Sequence, residues 1–145
     1  MRIGIISGYF NPLHTGHLDY IESAKRQCGF LYVIVNNDSQ VRLKGSKLFM
    51  DAESRRRIVA ALEDVNGAMI AMDNTETVVE SLKYLHWKYV TDPFVDSIAF
   101  MNGGDRAAGN TPEEIYCKEV GIKTIYGVGG KKTQSSSELI RGNTN

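Results

Sequence analysis

Short apolar runs alternate along the chain with stretches of helical spacing. Residues 2–7 are short, apolar and rich in Ile, and predict a buried strand. Residues 15–27 predict a helix, with Leu18, Ile21 and Ala24 on one face and Cys28 continuing it. Residues 30–36 are a second β-branched run. Residues 51–64 are helical, with Ile58, Val59, Leu62 and Val65 on one stripe. Residues 68–72 predict a third strand, 75–87 a helix through Val78, Val79, Leu82 and Leu85, and 97–101 a fourth strand. Residues 111–120 predict a helix with Pro112 in its first turn, stopped by Gly121. Residues 122–126 predict the last strand and 135–141 a short terminal helix. Such alternation specifies an α/β fold, a doubly wound parallel sheet of five strands with helices on both faces.

Composition narrows the classes without changing that picture. A chain of 145 residues is sized for a single domain spanning 1–145. Hydrophobic residues are 42% and charged residues 23%, values of a folded globular chain rather than a disordered one. Seventeen Lys and Arg balance 17 Asp and Glu, so the basic excess of a general nucleic-acid binder is missing. No apolar run approaches the ~20 residues that span a bilayer, and the first residues do not read as a signal peptide. Cys28 and Cys117 lie far apart and form no CxxC, as expected of reduced thiols. These features predict a cytoplasmic protein with neither membrane nor nucleic-acid partner.

Polar clusters fall where the strands end: residues 7–17, 36–47, 102–106 and 127–137. In parallel sheets ligands bind outside the carboxyl ends of the strands, at the switch point. The first cluster, Ser-Gly-Tyr-Phe-Asn-Pro-Leu-His-Thr-Gly-His, joins a strand to a helix. Gly8 permits close backbone approach. His14 and His17, three residues apart, project from one side of a helix start. Free N–H groups and the positive dipole end already favour an anion there, and two imidazoles strengthen that preference. A His pair also suits a metal, but no third ligand stands at metal spacing, and the metal is left unassigned. Gly127-Val-Gly-Gly-Lys-Lys132 fits neither a P-loop nor a dinucleotide fingerprint, and reads as a lid or hinge.

The segment Gly8-Tyr-Phe-Asn-Pro-Leu-His-Thr-Gly-His17 resembles the signature of the cytidylyltransferase-like nucleotidyltransferases, G-x-F-[DN]-x-x-H-x-G-H. Four further blocks continue the resemblance in order: Arg42-Leu-Lys-Gly45, the run from Glu53 to Val65, Asn102-Gly-Gly-Asp105, and Ser135-Ser-Ser-Glu-Leu-Ile140. The pattern is similar to the adenylyltransferase domain of ADP-heptose synthase and to glycerol-3-phosphate cytidylyltransferase. The resemblance implies a Rossmann-like fold and the transfer of a nucleoside monophosphate from CTP or ATP to a phosphorylated alcohol or sugar. Pyrophosphate leaves by in-line attack with no covalent intermediate, and Mg²⁺ arrives on the triphosphate. A homodimer is the implied assembly.

By the same resemblance His14, His17, Lys44 and Arg55 are the catalytic set. Gly8, Tyr9, Phe10, Asn11, Gly16, Gly104, Asp105, Ser135, Ser136 and Ser137 bind the nucleotide. Lys131 and Lys132 contact phosphates, one of them standing in for an Arg found in cytidylyltransferase relatives. Helical spacing independently selects Arg55 from three consecutive arginines. It lies 3, 4 and 7 residues before Ile58, Val59 and Leu62, on the core side, where a charge needs a partner. Arg56 and Arg57 fall on outward faces. Asn11 departs from the Asp of many relatives, which favours an alternative: a nucleotide-binding protein of the same fold without turnover. The aromatics of residues 86–95 suit an acceptor wall, a dimer contact or a packed connection.

Overall fold

The computed structural model describes residues 1–103 and 109–130. Five parallel strands form one sheet in the order β3-β2-β1-β4-β5: β1 (Arg2–Gly8), β2 (Phe30–Val35), β3 (Gly67–Ile70), β4 (Ser97–Gly103) and β5 (Lys123–Val128). The connections carry α1 (Thr15–Lys25), α2 (Asp38–Leu43), α3 (Ala52–Ala60), α4 (Val79–Tyr89) and α5 (Pro112–Val120). The order reverses between β1 and β4, which makes their carboxyl ends the switch point.

Both faces of the sheet are covered, as expected. On one face Ile6, Val33, Val35 and Met101 pack with Ile21 and Ala24 of α1 and Val59 of α3. On the other, Ile3, Ile5, Ile34 and Phe100 pack with Leu82 and Leu85 of α4 and Cys117 of α5. Strand side chains alternate between the two cores, as the period of two requires.

Several elements differ from expectation for local reasons. The helix expected over 51–64 ends at Ala60, and Ile58 is 40% exposed instead of facing the core. At about 100° per residue, Ala52, Arg55 and Val59 define the inward face, and Ile58 falls off it. The helix expected from residue 75 starts at Val79, because Asp73 accepts the N–H groups of Glu80 and Ser81 and so fixes the first turn. The two preceding carbonyls, of Thr75 and Thr77, are held instead by the buried Gln40 amide. The α2 helix was not anticipated. Its start is a capping box in which Asn37 accepts the Gln40 N–H and Gln40 accepts the Asn37 N–H. The last strand runs to Val128 and takes in Gly127, so the glycine segment begins inside the sheet and turns at Gly129 and Gly130, both at positive φ. The helix expected over 135–141 lies outside the described residues.

Residues 86–95 do not border the strand carboxyl ends. They lead into the start of β4, at the opposite edge of the sheet. Tyr89 meets Phe30 at a tilt and Tyr32 edge-on, and Tyr89 and Val95 pack partly on the second core, so these two residues anchor a connection that is otherwise largely exposed. Trp87 and Phe94 stay exposed.

Cys117 is fully buried in the second core, and burial pushes its thiol up to about 12. The unfolded thiol ionises near 9.0, so this contribution to stability is complete below that pH and declines as pH rises towards 12. The slope is about 1.4 kcal/mol per pH unit. Urea midpoints measured from pH 8 to 11 should fall more steeply for the native chain than for Cys117→Ala.

Candidate active site at the strand carboxyl ends

The β1–α1 segment is shaped by one tight contact. Phe10 has a positive φ of 49° and is almost fully buried. Its ring lies over Gly8, where an added Cβ would come within 2.8 Å of Cζ, so this position requires glycine. The same ring meets His17 edge-on, with centroids 4.9 Å apart.

The two histidines build the start of their own helix. His14 is the N-cap, and its Nδ1 accepts the Gly16 N–H at 3.1 Å. His17, at the third helical position, accepts the His14 N–H through its own Nδ1 at 3.1 Å. The rings stack 3.7 Å apart. A nitrogen that accepts an N–H carries no proton, so each neutral ring holds its proton on Nε2. Two Nε2–H donors are thereby set beside the N–H groups and positive dipole end of α1.

Asn11 is buried, and both ends of its amide are used. Nδ2 donates to the Lys47 carbonyl at 2.7 Å, and Oδ1 accepts the Phe49 N–H at 3.0 Å. It fastens the segment after α2 to the histidine loop. An Asp here would set a carboxylate against the Lys47 carbonyl with no donor between them. Asn11→Asp should therefore lower folding stability by about 1–3 kcal/mol, read as a shift in urea midpoint.

Arg55 does reach the loop, from the buried face of α3, but its side chain has no exposed surface. Nε donates to the Met50 carbonyl at 2.9 Å. One terminal nitrogen donates to the carbonyls of Tyr9 and Asn36 at 2.8 and 2.7 Å. The other pairs with Asp38 at 2.8 Å. Arg56 instead pairs with Glu53 on the surface, as an outward residue should.

Lys44, the C-cap of α2, is exposed, and its Nζ sits 4.2 Å from the centre of the Tyr9 ring. Burial pushes the Tyr9 phenol up, and the charges of Glu76 and Glu113 add to that shift. Sequence reasoning did not single out Tyr20 of α1. Its hydroxyl donates to the Met101 carbonyl at 2.6 Å. Its ring fills the space beside Gly103, and its backbone lies 3.0 Å from where a Gly129 Cβ would be. Tyr20 thus holds the ends of β4 and β5 against the histidine helix; its aromatic character was visible, its two glycine partners were not.

The structure brings together Gly8, Tyr9, Phe10, Asn11, His14, Gly16, His17, Lys44 and Arg55 around one end of the sheet. Gly104, Asp105, Lys131, Lys132, Ser135, Ser136 and Ser137 lie outside the described residues. Among the described residues no three His, Cys, Asp or Glu side chains converge as a metal site would require, and no helix is long and apolar enough to cross a membrane.

Residues 5–141 match the model of a family described as cytidylyltransferase-like. The bifunctional protein HldE of Bradyrhizobium sp. strain ORS 278 is 38% identical over 133 residues, 90% of this chain and 23% of that protein. The chain spans between 16% and 27% of the length of curated relatives of this kind. Among solved structures, the lipopolysaccharide core biosynthesis protein of Thermoplasma volcanium aligns with a TM-score of 0.65 at 20% identity, covering 94% of this chain and 98% of that one. A bifunctional NMN adenylyltransferase/ADP ribose pyrophosphatase of Francisella tularensis, complexed with AMP and a Mn ion, aligns with a TM-score of 0.66 at 15% identity. It is covered over 41% of its length and covers 97% of this chain. These two likenesses establish the shared fold.

Proposed function

Because the chain belongs to the cytidylyltransferase-like family of nucleotidyltransferases, we propose that it transfers a nucleoside monophosphate from ATP or CTP to a phosphorylated alcohol or sugar. An oxygen of the acceptor's phosphate attacks the α-phosphorus. The new O–P bond forms as the bond to the bridging oxygen of the β-phosphate breaks, and pyrophosphate leaves. No covalent enzyme intermediate intervenes. The acceptor arrives already phosphorylated.

The observation that carries this reading is the histidine capping box. The reaction asks the protein for position and charge stabilisation rather than covalent chemistry. Two Nε2–H donors of fixed tautomer beside a helix N-terminus, at the switch point of the sheet, supply donors where negative charge grows on the α-phosphoryl oxygens. Lys44, over the Tyr9 ring of the same loop, would neutralise phosphate. Arg55 acts through others: it ties the Tyr9, Asn36 and Met50 carbonyls together and so positions the histidine loop against the lysine-bearing segment. Gly104, Asp105 and the serines of the last block contact the nucleotide by family resemblance, with Lys131 and Lys132 near its phosphates.

A divalent ion, Mg²⁺ in this reading, would be carried by the triphosphate and shield its charge. The Mn ion of the Francisella protein supports divalent metal use in the fold. With no convergent cluster among the described residues, we assign the ion no protein ligand. The alternative of a binding protein without turnover rested on Asn11. That side chain is engaged in holding the 47–49 segment, so its identity argues neither for nor against turnover.

The test is pyrophosphate release with Mg²⁺, crossing ATP and CTP with glycerol 3-phosphate, phosphoethanolamine, phosphocholine and heptose 1-phosphate. Release with one pair, abolished in His17→Ala, is expected. Silence across the grid with triphosphate binding retained would overturn the transfer reading.

A further inference from the structure

We propose that Gln40 is a positioning residue: its buried amide fixes the α2 helix and so sets the Lys44 ammonium over the Tyr9 ring, where it serves phosphate. That use of the lysine rests on the nucleotidyl-transfer reading; its placement rests on the hydrogen bonds around Gln40.

The α2 helix cannot hold itself in place. Its 6 residues fall well short of the ~12–15 at which an isolated helix becomes even marginally stable. Gln40 and Val41 are its only buried residues, so apolar packing rests on one valine. Placement therefore falls to polar contacts. Asn37 Nδ2 donates to the Ala71 and Asp73 carbonyls, and Asp38 pairs with Arg55; these hold the start of the helix. Gln40 holds its middle. It is fully buried, and its amide makes four hydrogen bonds, the full capacity of that group. Oε1 accepts Asn36 Nδ2 and the Asn37 N–H, both at 3.0 Å. Nε2 donates to the Thr75 and Thr77 carbonyls at 2.8 and 2.9 Å.

These contacts close a ring that ends on the lysine. The Asn36 N–H donates to the Gly8 carbonyl at 2.9 Å, which ties the end of β2 to the histidine loop. The side chain of Asn36 donates to Gln40. The Gln40 carbonyl accepts the Lys44 N–H at 3.0 Å, and Lys44 is the C-cap of the same helix. Lys44 Nζ then returns to the histidine loop, 4.2 Å from the centre of the Tyr9 ring. A lysine stem is flexible, so what its ammonium can reach depends on where its backbone is held. An exposed cation–π contact is too weak to fix a helix. A buried amide with four directed bonds specifies one position, and leaving those partners unpaired is costly. An apolar side chain could fill the same space without specifying where α2 and Lys44 lie.

The experiment reads the lysine's position and its use separately, on the full chain at a temperature where circular dichroism shows each variant folded. The variants are Gln40→Met, Lys44→Ala and the two combined. Gln40→Glu keeps the oxygen that accepts from Asn36 and Asn37 but loses the donor, and replaces Gln40→Met in every comparison if that variant does not fold. Proton NMR gives the shielding of the Lys44 methylenes by the Tyr9 ring, with Tyr9→Leu as the unshielded reference. Gln40→Met should lose most of that shielding, while the ring protons of His14 and His17 keep their native shifts. Calorimetry with MgATP and MgCTP gives the use. Lys44→Ala should weaken the tighter of the two about tenfold, and Gln40→Met about fivefold, the range of one hydrogen bond to a charged group. In the Lys44→Ala background, Gln40→Met should add less than about twofold, because a residue acting through another has nothing further to lose. Native shielding in Gln40→Met overturns the proposal. So does a shift of the histidine rings in step with Lys44, which marks general loosening, or equal weakening by Gln40→Met with and without the lysine. Native affinity in Lys44→Ala removes the phosphate role and the proposal with it, and pyrophosphate release by that same variant would leave the transfer reading standing. Absence of triphosphate binding by the native chain, with shielding still lost in Gln40→Met, would sink the transfer reading and uphold the placement.

Discussion

Arg55→Met is expected to cost about 3–5 kcal/mol of folding stability, the largest loss of any single substitution considered. Methionine fills much of the volume but replaces no donor. The carbonyls of Met50, Tyr9 and Asn36 and the carboxylate of Asp38 lose four hydrogen bonds in one place. A domain of this size has roughly 5–15 kcal/mol in total, so the variant should be partly unfolded at 37 °C. Arg55→Lys keeps the charge but not the planar fork that reaches three carbonyls and a carboxylate, and should recover less than half of the loss. Urea titration by circular dichroism gives the measurement. A midpoint for Arg55→Met within experimental error of the native one, together with a lost phosphate affinity, would show that the guanidinium turns outward to the substrate instead.

Removing either imidazole should act on the reaction far more than on the fold. His14→Asn retains a side chain that caps helices well and can still accept the Gly16 N–H. Its stability should therefore stay within about 0.5 kcal/mol of native, while kcat falls by about 10²–10³, the effect of deleting one preorganised donor. His14→Ala should show the same fall in kcat plus about 1 kcal/mol of lost stability from the missing cap. His17→Ala loses the reciprocal half of the capping box and should behave similarly. Steady-state pyrophosphate release and thermal melts on the three variants separate the two contributions. Equal kcat in His14→Asn and the native protein would remove the imidazole from the chemistry.

The alternation of apolar runs and helical stripes made the layered sheet legible, because a fully buried parallel strand leaves a run of Ile and Val that little else produces. The motif at residues 8–17 was legible as a family signature, and the inward position of Arg55 followed from helical spacing. What escaped was set by partners distant in sequence. Asn11 drew attention as a missing charge, whereas its role depends on the backbone of residues 47–49, some 36 positions away. The burial of Arg55 was foreseen, but that its donors are directed at carbonyls from three other segments was not. Ile58 went to the wrong face because apolar character outweighed angular position. The α2 helix carried its signature, Asn37 with Gln40, in plain view, but six residues give too little periodicity to register as a helix.

The imidazole donors proposed to face the reaction owe their tautomer to bonds spanning two and three residues of chain. That tautomer is thus set by backbone N–H groups within one helical turn. A unit so self-contained can be inherited intact while everything around it drifts. Residues at the rim can then change without retuning the histidines. Under the proposed function, exchanging residues around this turn is therefore a more promising route to new specificity than altering the turn itself.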